Sequence, residues 1–186
     1  MRVSFVALAC ATGALAAPLI QRCNLCTIVG STTLPAETLD AANALANTVT
    51  CSTTTTIGTV PDAISGDVKF SSINFADSKN STLGFALSTF ATATPLASTD
   101  LAHFQNMLNV YVATEAGVRS VGGSLAVKVP KFFLEFQVSR IQTAQGNAPT
   151  DASLTVPHLL TKVLKNAAGQ SQAFLDEVTA LSKQLS

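Results

Sequence analysis

The side chains that could carry chemistry are few and stand far apart along the 186-residue chain. Its two histidines, His103 and His158, each fall where a helix is expected to begin and lie far from any cysteine. The segment GGSLA at 122–126 comes close to the G-x-S-x-G nucleophile motif, but Ala126 replaces the second glycine. A Ser-His-Asp triad stays open, since its members need not be adjacent in sequence. Because so little of a site can be assembled, we expect a protein that is not an enzyme and that has no cofactor and no metal.

Two expected helices place charged residues on faces that are otherwise apolar. Glu115 falls in the middle of an apolar stripe on a helix expected at about 99–120, and Arg119 falls beside it. Arg140 interrupts the apolar arc of the next helix, and a buried guanidinium without a partner is costly. Because a short turn joins the two helices, we predict that Glu115 faces Arg140, with Arg119 close by. The functional alternatives are a charged site for a polar ligand group and a Glu115–Glu135 carboxylate pair, although structural ion pairing explains these residues more simply.

The stretch VPKFFLEFQVSRI at 129–141 concentrates aromatic side chains in a chain that has few of them. On a helical wheel, Phe132, Phe133 and Phe136 lie in an apolar arc that covers more than half of the circumference, which is typical of a helix central to a fold. We predict that these rings mostly face inward and that this helix is the most buried in the domain. The alternatives are a ring-lined pocket for a fatty acid or similar ligand, and an exposed patch that adheres to apolar surfaces.

The rest of the sequence supplies the elements that would hold these residues in place. Apolar residues recur at helical spacing in several segments, which begin near capping residues or prolines. The expected helices lie at about 34–49, 81–90, 99–120, 130–143, 157–164 and 174–185. Residues 51–80, rich in Thr, Ser, Val and Phe, form an irregular section with room for a short β element. The pattern predicts an all-α, single-domain helical bundle, with an N-terminal tail at 17–34 and the helical domain at 35–186.

Three of the four cysteines are expected to remain in the mature protein, because Cys10 lies within the N-terminal leader. In an oxidising compartment, the expected bridge joins Cys51 to either Cys23 or Cys26. The third thiol is then free or pairs with another chain, which would give a disulfide-linked dimer. A redox C-x-x-C and half of a zinc site are the alternatives, but neither a βαβ pattern nor a second C-x-x-C accompanies them.

The N-terminus, MRVSFVALACATGALAAP, has the layout of a secretory signal: one early arginine, a short apolar run and an A-x-A cleavage site. We therefore expect a signal peptide at 1–16 and a secreted, extracellular protein. Its mature chain is expected to begin at Ala17, or at Cys23 if a protease trims after Arg22. The apolar run is too short to span a bilayer, and nothing after residue 20 is long and apolar enough, so we expect no transmembrane segment. Asn80 begins an N-x-S/T sequon in a polar stretch, so we expect a glycoprotein.

The distribution of charge argues against nucleic acid as a partner. The chain carries 11 basic and 11 acidic residues, and only 12% of its residues are charged. A near-neutral chain without a basic run offers no electrostatic footprint for nucleic acid or for an anionic membrane. Binding partners of other kinds, such as a protein, a cell-wall component or an apolar ligand, remain open.

Two segments carry a resemblance to a known group of proteins: NVYVATEAGVRSVGG at 109–123 and KVPKFFLEFQVSRIQTAQG at 128–146. Together with the signal peptide and the Thr-rich region, they resemble the small secreted proteins of mushroom-forming fungi, over about the C-terminal half of the chain. The resemblance implies an exported, effector-like protein with no established chemistry. In layout, the chain is also similar to fungal hydrophobic-surface-binding proteins and cell-wall mannoproteins, which are small, exported and helical and bind apolar surfaces or fatty acids.

Two classes of function follow from these expectations. The first is a secreted, non-catalytic interaction or effector-like protein that acts on an unknown target through its folded surface. The second is a binder of fatty acids or other apolar ligands or surfaces through the Phe-rich helix. A packed interior around the phenylalanines would favour the first class, whereas an internal cavity or an exposed apolar face would favour the second.

Overall fold

The fold is mainly helical, with one small sheet. The computed structural model describes residues 25–186. Within this range the α-helices are α1 (Ala36–Ala44), α2 (Thr82–Thr89), α3 (Leu101–Ser120), α4 (Lys128–Ala144), α5 (Val156–Asn166) and α6 (Gln172–Leu181). The strands β1 (Thr50–Thr55), β2 (Pro61–Ser65) and β3 (Val68–Lys69) form an antiparallel sheet in that order. The prediction of a mostly helical domain is confirmed, but the fold is not purely all-α.

The sheet occupies much of the section at 51–80 that has no clear pattern in the sequence. β1 reads TCSTTT, and its β-branched threonines suit an extended strand at a sheet edge. Gly66 has a φ of +56°, which lets the chain turn back tightly between β2 and β3. The central strand, β2, packs against α3. Its buried Asp62 accepts hydrogen bonds from the backbone N–H and the hydroxyl of Ser71, at 2.8 and 2.7 Å, and so fixes the turn after β3.

Tyr111 of α3 ties this sheet region to the helices. Its buried hydroxyl donates a hydrogen bond to the backbone carbonyl of Ile73, with the oxygens 2.6 Å apart. The rings of Phe70 and Phe90 approach the tyrosine edge-on, with ring centres 5.0 and 5.7 Å away, a favoured geometry for aromatic pairs. Burial raises the pKa of Tyr111, so the phenol stays neutral. The tyrosine therefore anchors α3 against the segment that follows the sheet.

The tail that precedes α1 is joined to the domain by a disulfide and by close packing. Cys26 is bonded to Cys51 on β1, which confirms one of the two predicted pairings. The hydroxyl of Thr27 donates to the backbone carbonyl of Ala113 on α3, at 2.7 Å. A Cβ added to Gly117 would lie 2.6 Å from the carbonyl oxygen of Thr27, so glycine permits this close approach. Tail, sheet and α3 thus form one packed unit.

The helix α4 is the most buried α-helix of the described chain, as the sequence predicts. Ten of its 17 residues are buried, a larger share than in the other described α-helices. It packs against α2, α3 and α5. Phe133 and Phe136 have no exposed surface, and their ring centres lie 6.0 Å apart in the core. Two of the three predicted phenylalanines therefore face inward, whereas Phe132 is half-buried.

Candidate functional site

A charged cleft opens where α1, α3, α4 and α5 meet, and we call it the ion cleft. Its volume is about 330 Å³. Phe132 lies in it together with small and polar side chains. Its charged side chains are three carboxylates and five cations: Glu37, Glu115, Glu135, Arg119, Lys128, Lys131, Lys162 and Lys165. Each helix that borders the cleft therefore contributes charge to it.

Lys131 of α4 links two carboxylates inside the ion cleft. Its Nζ lies 2.8 Å from Oε2 of Glu115 and 3.6 Å from Oε1 of Glu135. Arg119, one turn along α3 from Glu115, places both Nε and Nη2 2.8 Å from Oε1 of that residue. The Glu115 side chain is only 6% exposed, so two cations neutralise a carboxylate that is removed from water. We call these four residues the ion network.

The ion network moves the pKa values of its two carboxyl groups in opposite directions. Burial by itself would raise the pKa of Glu115, but Lys131 and Arg119 outweigh burial and lower it below its ordinary value. Burial raises the pKa of Glu135; Lys131 opposes this rise, and the negative charge of Glu115 adds to it. Glu115 is therefore firmly ionised, whereas Glu135 takes up a proton more readily than an ordinary glutamate. Chemically, the cleft can attract an anion through its cations and can hold a proton at Glu135.

Phe132 gathers several lysine side chains at one place in the ion cleft. The centre of its ring lies 4.1 Å from Nζ of Lys131, 5.7 Å from Nζ of Lys128 and 6.0 Å from Nζ of Lys162. The negative face of an aromatic ring attracts ammonium groups at such distances. Within residues 25–186, neither Lys128 nor Lys162 forms an ion pair. Neither ammonium group is therefore held in a direct ion pair by the described residues, although the charge of Lys162 also acts on Glu135.

Arg140 does not reach Glu115, so this part of the sequence prediction is wrong. Its guanidinium is buried, and Nη1 donates to Oε1 of Gln137 while Nη2 donates to the backbone oxygen of Gln184 at 2.8 Å. Arg140 follows Lys131 by nine residues, which is about 180° around the helix and about 13 Å along it. Lys131 therefore takes the place beside Glu115, and Arg140 points to the opposite side of α4.

Sequence reasoning joined Glu115 and Glu135 only as an alternative carboxylate pair, and it missed Lys131, which links them. In the sequence Lys131 and Glu135 belong to a polar strip on α4, which suggests a face in contact with solvent. The signal that could have found them is their i,i+4 spacing, which matches the spacing of Glu115 and Arg119 on α3. Two such pairs on neighbouring antiparallel helices can join into one network.

The other residues singled out by the sequence do not line the ion cleft. Asn80 is exposed in the loop before α2. His103 and His158 are exposed in the first turns of α3 and α5. Ser124 of the GGSLA segment begins a short turn, in which its hydroxyl accepts a hydrogen bond from the backbone N–H of Ala126 at 3.4 Å. The serine thus has a local structural role.

Some sequence predictions concern residues that the structure does not describe. The expected signal peptide at 1–16, the mature start at Ala17 and the third cysteine, Cys23, all lie outside the described residues. Within residues 25–186, no helix has the length and apolar character needed to cross a membrane.

Comparison with known proteins places the chain in a family. Residues 28–186 match the family described as a domain of unknown function, DUF7143. The chain belongs to this family. The matched region contains the sheet, every described helix and the whole ion cleft. No curated protein and no solved structure matches the chain.

Proposed function

We propose that this protein is a secreted, non-catalytic interaction protein that binds the acidic surface of a partner protein through the ion cleft. The N-terminal signal pattern supports export. The Cys26–Cys51 disulfide supports it independently, since disulfides persist in oxidising compartments. With these two cysteines paired, Cys23 is left either as a free thiol or as a link between two chains.

The observation that carries the proposal is the local excess of cations in the ion cleft. Inside the ion network, two cations meet two carboxylates. Outside it, Lys128, Lys162 and Lys165 line the cleft together with the single carboxylate of Glu37. Because the chain has 11 basic and 11 acidic residues in all, this excess is local. It would therefore orient an acidic partner at one place on the surface.

The arrangement of the ion cleft is also suited to a protein interface. The half-buried ring of Phe132 gives it an apolar surface beside the lysines. Aromatic side chains are enriched in the core of protein–protein interfaces, and polar side chains form the rim. Lys162 and Lys165 are exposed on α5, where a partner can contact them without a change in the fold.

The alternative is a binder of fatty acids or other apolar ligands through the Phe-rich helix. Phe133 and Phe136 are packed in the core with no exposed surface, so their contacts already contribute to stability. Phe132 is the member of the three that lines the ion cleft, where ammonium groups surround its ring. The packed interior around these rings favours the interaction protein over the apolar carrier.

A comparison of two probes tests the proposal. The full secreted protein is titrated with a fluorescein-labelled oligo-aspartate peptide and, separately, with palmitate, and binding is followed at several salt concentrations. We expect the acidic peptide to bind with an affinity that falls as salt rises, because exposed charges are screened. Binding of palmitate without binding of the peptide would instead support the apolar carrier and overturn the proposal.

A further inference from the structure

Arg140 carries a positive charge inside the fold without an acidic partner. The residue is 2% exposed, and burial lowers the pKa of its guanidinium. Its hydrogen-bond acceptors, Oε1 of Gln137 and the backbone oxygen of Gln184, are both neutral. Within residues 25–186, no carboxylate oxygen lies within 4.0 Å of its nitrogens. The guanidinium therefore has no direct ion pair in the described protein.

This situation differs from that of Glu115, a buried charge that is held by two cations. The Nε of Arg140 is buried without any hydrogen-bond partner. The ring of Phe136 lies 5.7 Å from the guanidinium carbon, but a ring face is no substitute for a full negative charge. A cation removed from water needs a compensating anion, and an apolar side chain would fill the same space without that cost. Packing alone therefore gives no reason for an arginine here.

A cavity of about 330 Å³ adjoins the guanidinium, and we call it the Arg140 cavity. Lys183 brings a second cation to it, and Thr92 and Thr94 bring hydroxyl groups. Among the described residues that line it, none is an aspartate or a glutamate. Ser186, the last residue of the described chain, also lines the cavity, and its terminal carboxylate lies more than 4.0 Å from the guanidinium nitrogens. Its volume falls within the range of about 300–1,000 Å³ that is typical of small-molecule sites.

We propose that the Arg140 cavity binds an oxyanion, namely the carboxylate or phosphate group of a small molecule. A guanidinium offers N–H donors in a planar fork that matches two oxygens of either group. The ammonium group of Lys183 adds positive charge at the exposed side of the cavity. The bound oxyanion supplies a negative charge in direct contact with Arg140, which the described protein does not provide.

The Arg140 cavity is separate from the ion cleft, because Arg140 and Lys131 point to opposite sides of α4. The oxyanion site therefore does not depend on the proposed interaction function, and either proposal can fail alone.

Calorimetric titration of the full chain tests the oxyanion site. The chain is titrated with inorganic phosphate and, separately, with acetate, and each is compared with chloride at constant ionic strength. We expect at least one of the two anions to bind with a dissociation constant in the millimolar range or below. Stronger binding of phosphate identifies a phosphate group, and stronger binding of acetate identifies a carboxylate. During the titration, the amide NMR signals of Thr92, Thr94 and Gln184 are expected to shift at lower anion concentrations than that of Asn166 in the ion cleft, whose exposed lysines attract small anions only weakly.

Three variants locate the binding. Arg140→Met is expected to weaken anion binding at least about tenfold, because it removes hydrogen bonds from a charged group. Lys183→Met removes an exposed lysine that the fold does not need, and it is expected to weaken binding about threefold. The control, Lys165→Met, removes an exposed lysine of the ion cleft and should leave the affinity unchanged.

If Arg140→Met fails to fold, Lys183→Met and the amide shifts still decide the question. The proposal is overturned if neither anion binds, or if binding shifts Asn166 and is lost in Lys165→Met.

Discussion

Glu115 is held between two cations that come from different helices. Arg119 contacts it from the next turn of α3 and Lys131 contacts it from α4, each at 2.8 Å. Removing one member of a buried ion pair leaves the other charge without compensation. The contact between α3 and α4 at the ion cleft therefore depends strongly on this single carboxylate.

Glu115→Ala is expected to lower the free energy of unfolding by about 3 kcal/mol, the lower end of the range for a broken buried pair. The lower end applies because Lys131 still has its ion pair with Glu135 in this variant, and because Arg119 is partly exposed to water. Urea unfolding measures the loss. The control is Glu37→Ala, an exposed carboxylate of the same cleft, which should change stability by no more than about 0.5 kcal/mol. An equally small loss for Glu115→Ala would show that the ion network contributes little to the fold.

The same carboxylate gives stability a defined dependence on pH. Despite burial, Lys131 and Arg119 lower the folded-state pKa of Glu115. Its contribution to stability is therefore complete above the unfolded-state pKa, about 4.3, and is lost as the pH falls through the folded-state pKa. Glu135 has the opposite effect on stability. Burial raises its folded-state pKa, so its protonation as the pH falls removes the free-energy cost of a buried charge.

In Glu115→Gln, the free energy of unfolding is therefore expected to decrease less steeply than in wild type as the pH falls from about 5 to 3. Glu135→Gln should make stability fall more steeply above about pH 4.3, because the raised folded-state pKa of Glu135 places its opposing effect above its unfolded-state pKa. Urea unfolding at closely spaced pH values measures both slopes. Parallel curves for wild type and Glu115→Gln would contradict the pKa direction assigned to Glu115.

At the residue scale, local spacing predicts part of the site and helix rotation decides the rest. The i,i+4 spacing of Glu115 and Arg119 places them together on one face, and the structure confirms that pair. The predicted Arg140 contact is wrong because the rotation of α4 about its axis brings Lys131 to face α3 instead. That rotation depends on packing against α2 and α5, which no pattern within α4 contains.

At the element scale, α4 divides its phenylalanines between the core and the ion cleft. Phe133→Ala and Phe136→Ala are each expected to lower the free energy of unfolding by about 3–5 kcal/mol, since both rings are fully buried. The matched control is Phe132→Ala, where the loss should be only about 1 kcal/mol, because this ring is half-buried at the edge of the core and faces ammonium groups in the cleft. Urea unfolding of the three variants is the measurement, and equal losses in all three would refute the division.

The disulfide links the N-terminal tail to the sheet through β1. Replacing both cysteines, as Cys26→Ser with Cys51→Ser, is expected to lower the free energy of unfolding by about 2–4 kcal/mol, because the bond closes a loop over 25 residues of separation. A reductant should lower the stability of the wild type toward that of the double variant and leave the variant unchanged. A wild type that is insensitive to full reduction would rule out this role.

The sheet was harder to predict from the sequence than the helices. On β2, Asp62 and Ala63 are adjacent and both buried, so the strand lacks the alternation that marks a half-buried strand. Asp62 is tolerated there because Ser71 satisfies its carboxylate, a contact that local patterns do not reveal. The Cys51 pairing, by contrast, follows from cysteine number and compartment, although the sequence leaves two partners open.

At the scale of the whole molecule, charge is balanced overall but unevenly placed. The chain has 11 basic and 11 acidic residues, yet the ion cleft holds five cations and three carboxylates. Composition predicts the near-neutral total, and the helical spacing of apolar residues predicts the mainly helical class. It does not predict the cleft, because the charges that form it come from four helices spread from α1 to α5.

The most direct test of the ion cleft as the binding surface is the dissociation constant of the labelled oligo-aspartate peptide. It is measured for wild type and for the double variant Lys162→Gln with Lys165→Gln. If the ion cleft is the binding surface, the peptide should bind this variant about tenfold more weakly, because two exposed ion pairs are lost. The control variant, Lys69→Gln with Lys79→Gln, removes the same charge from exposed positions that do not line the cleft and should bind as the wild type does. Equal weakening in both double variants, or no weakening in either, would contradict the assignment of the ion cleft as the binding surface.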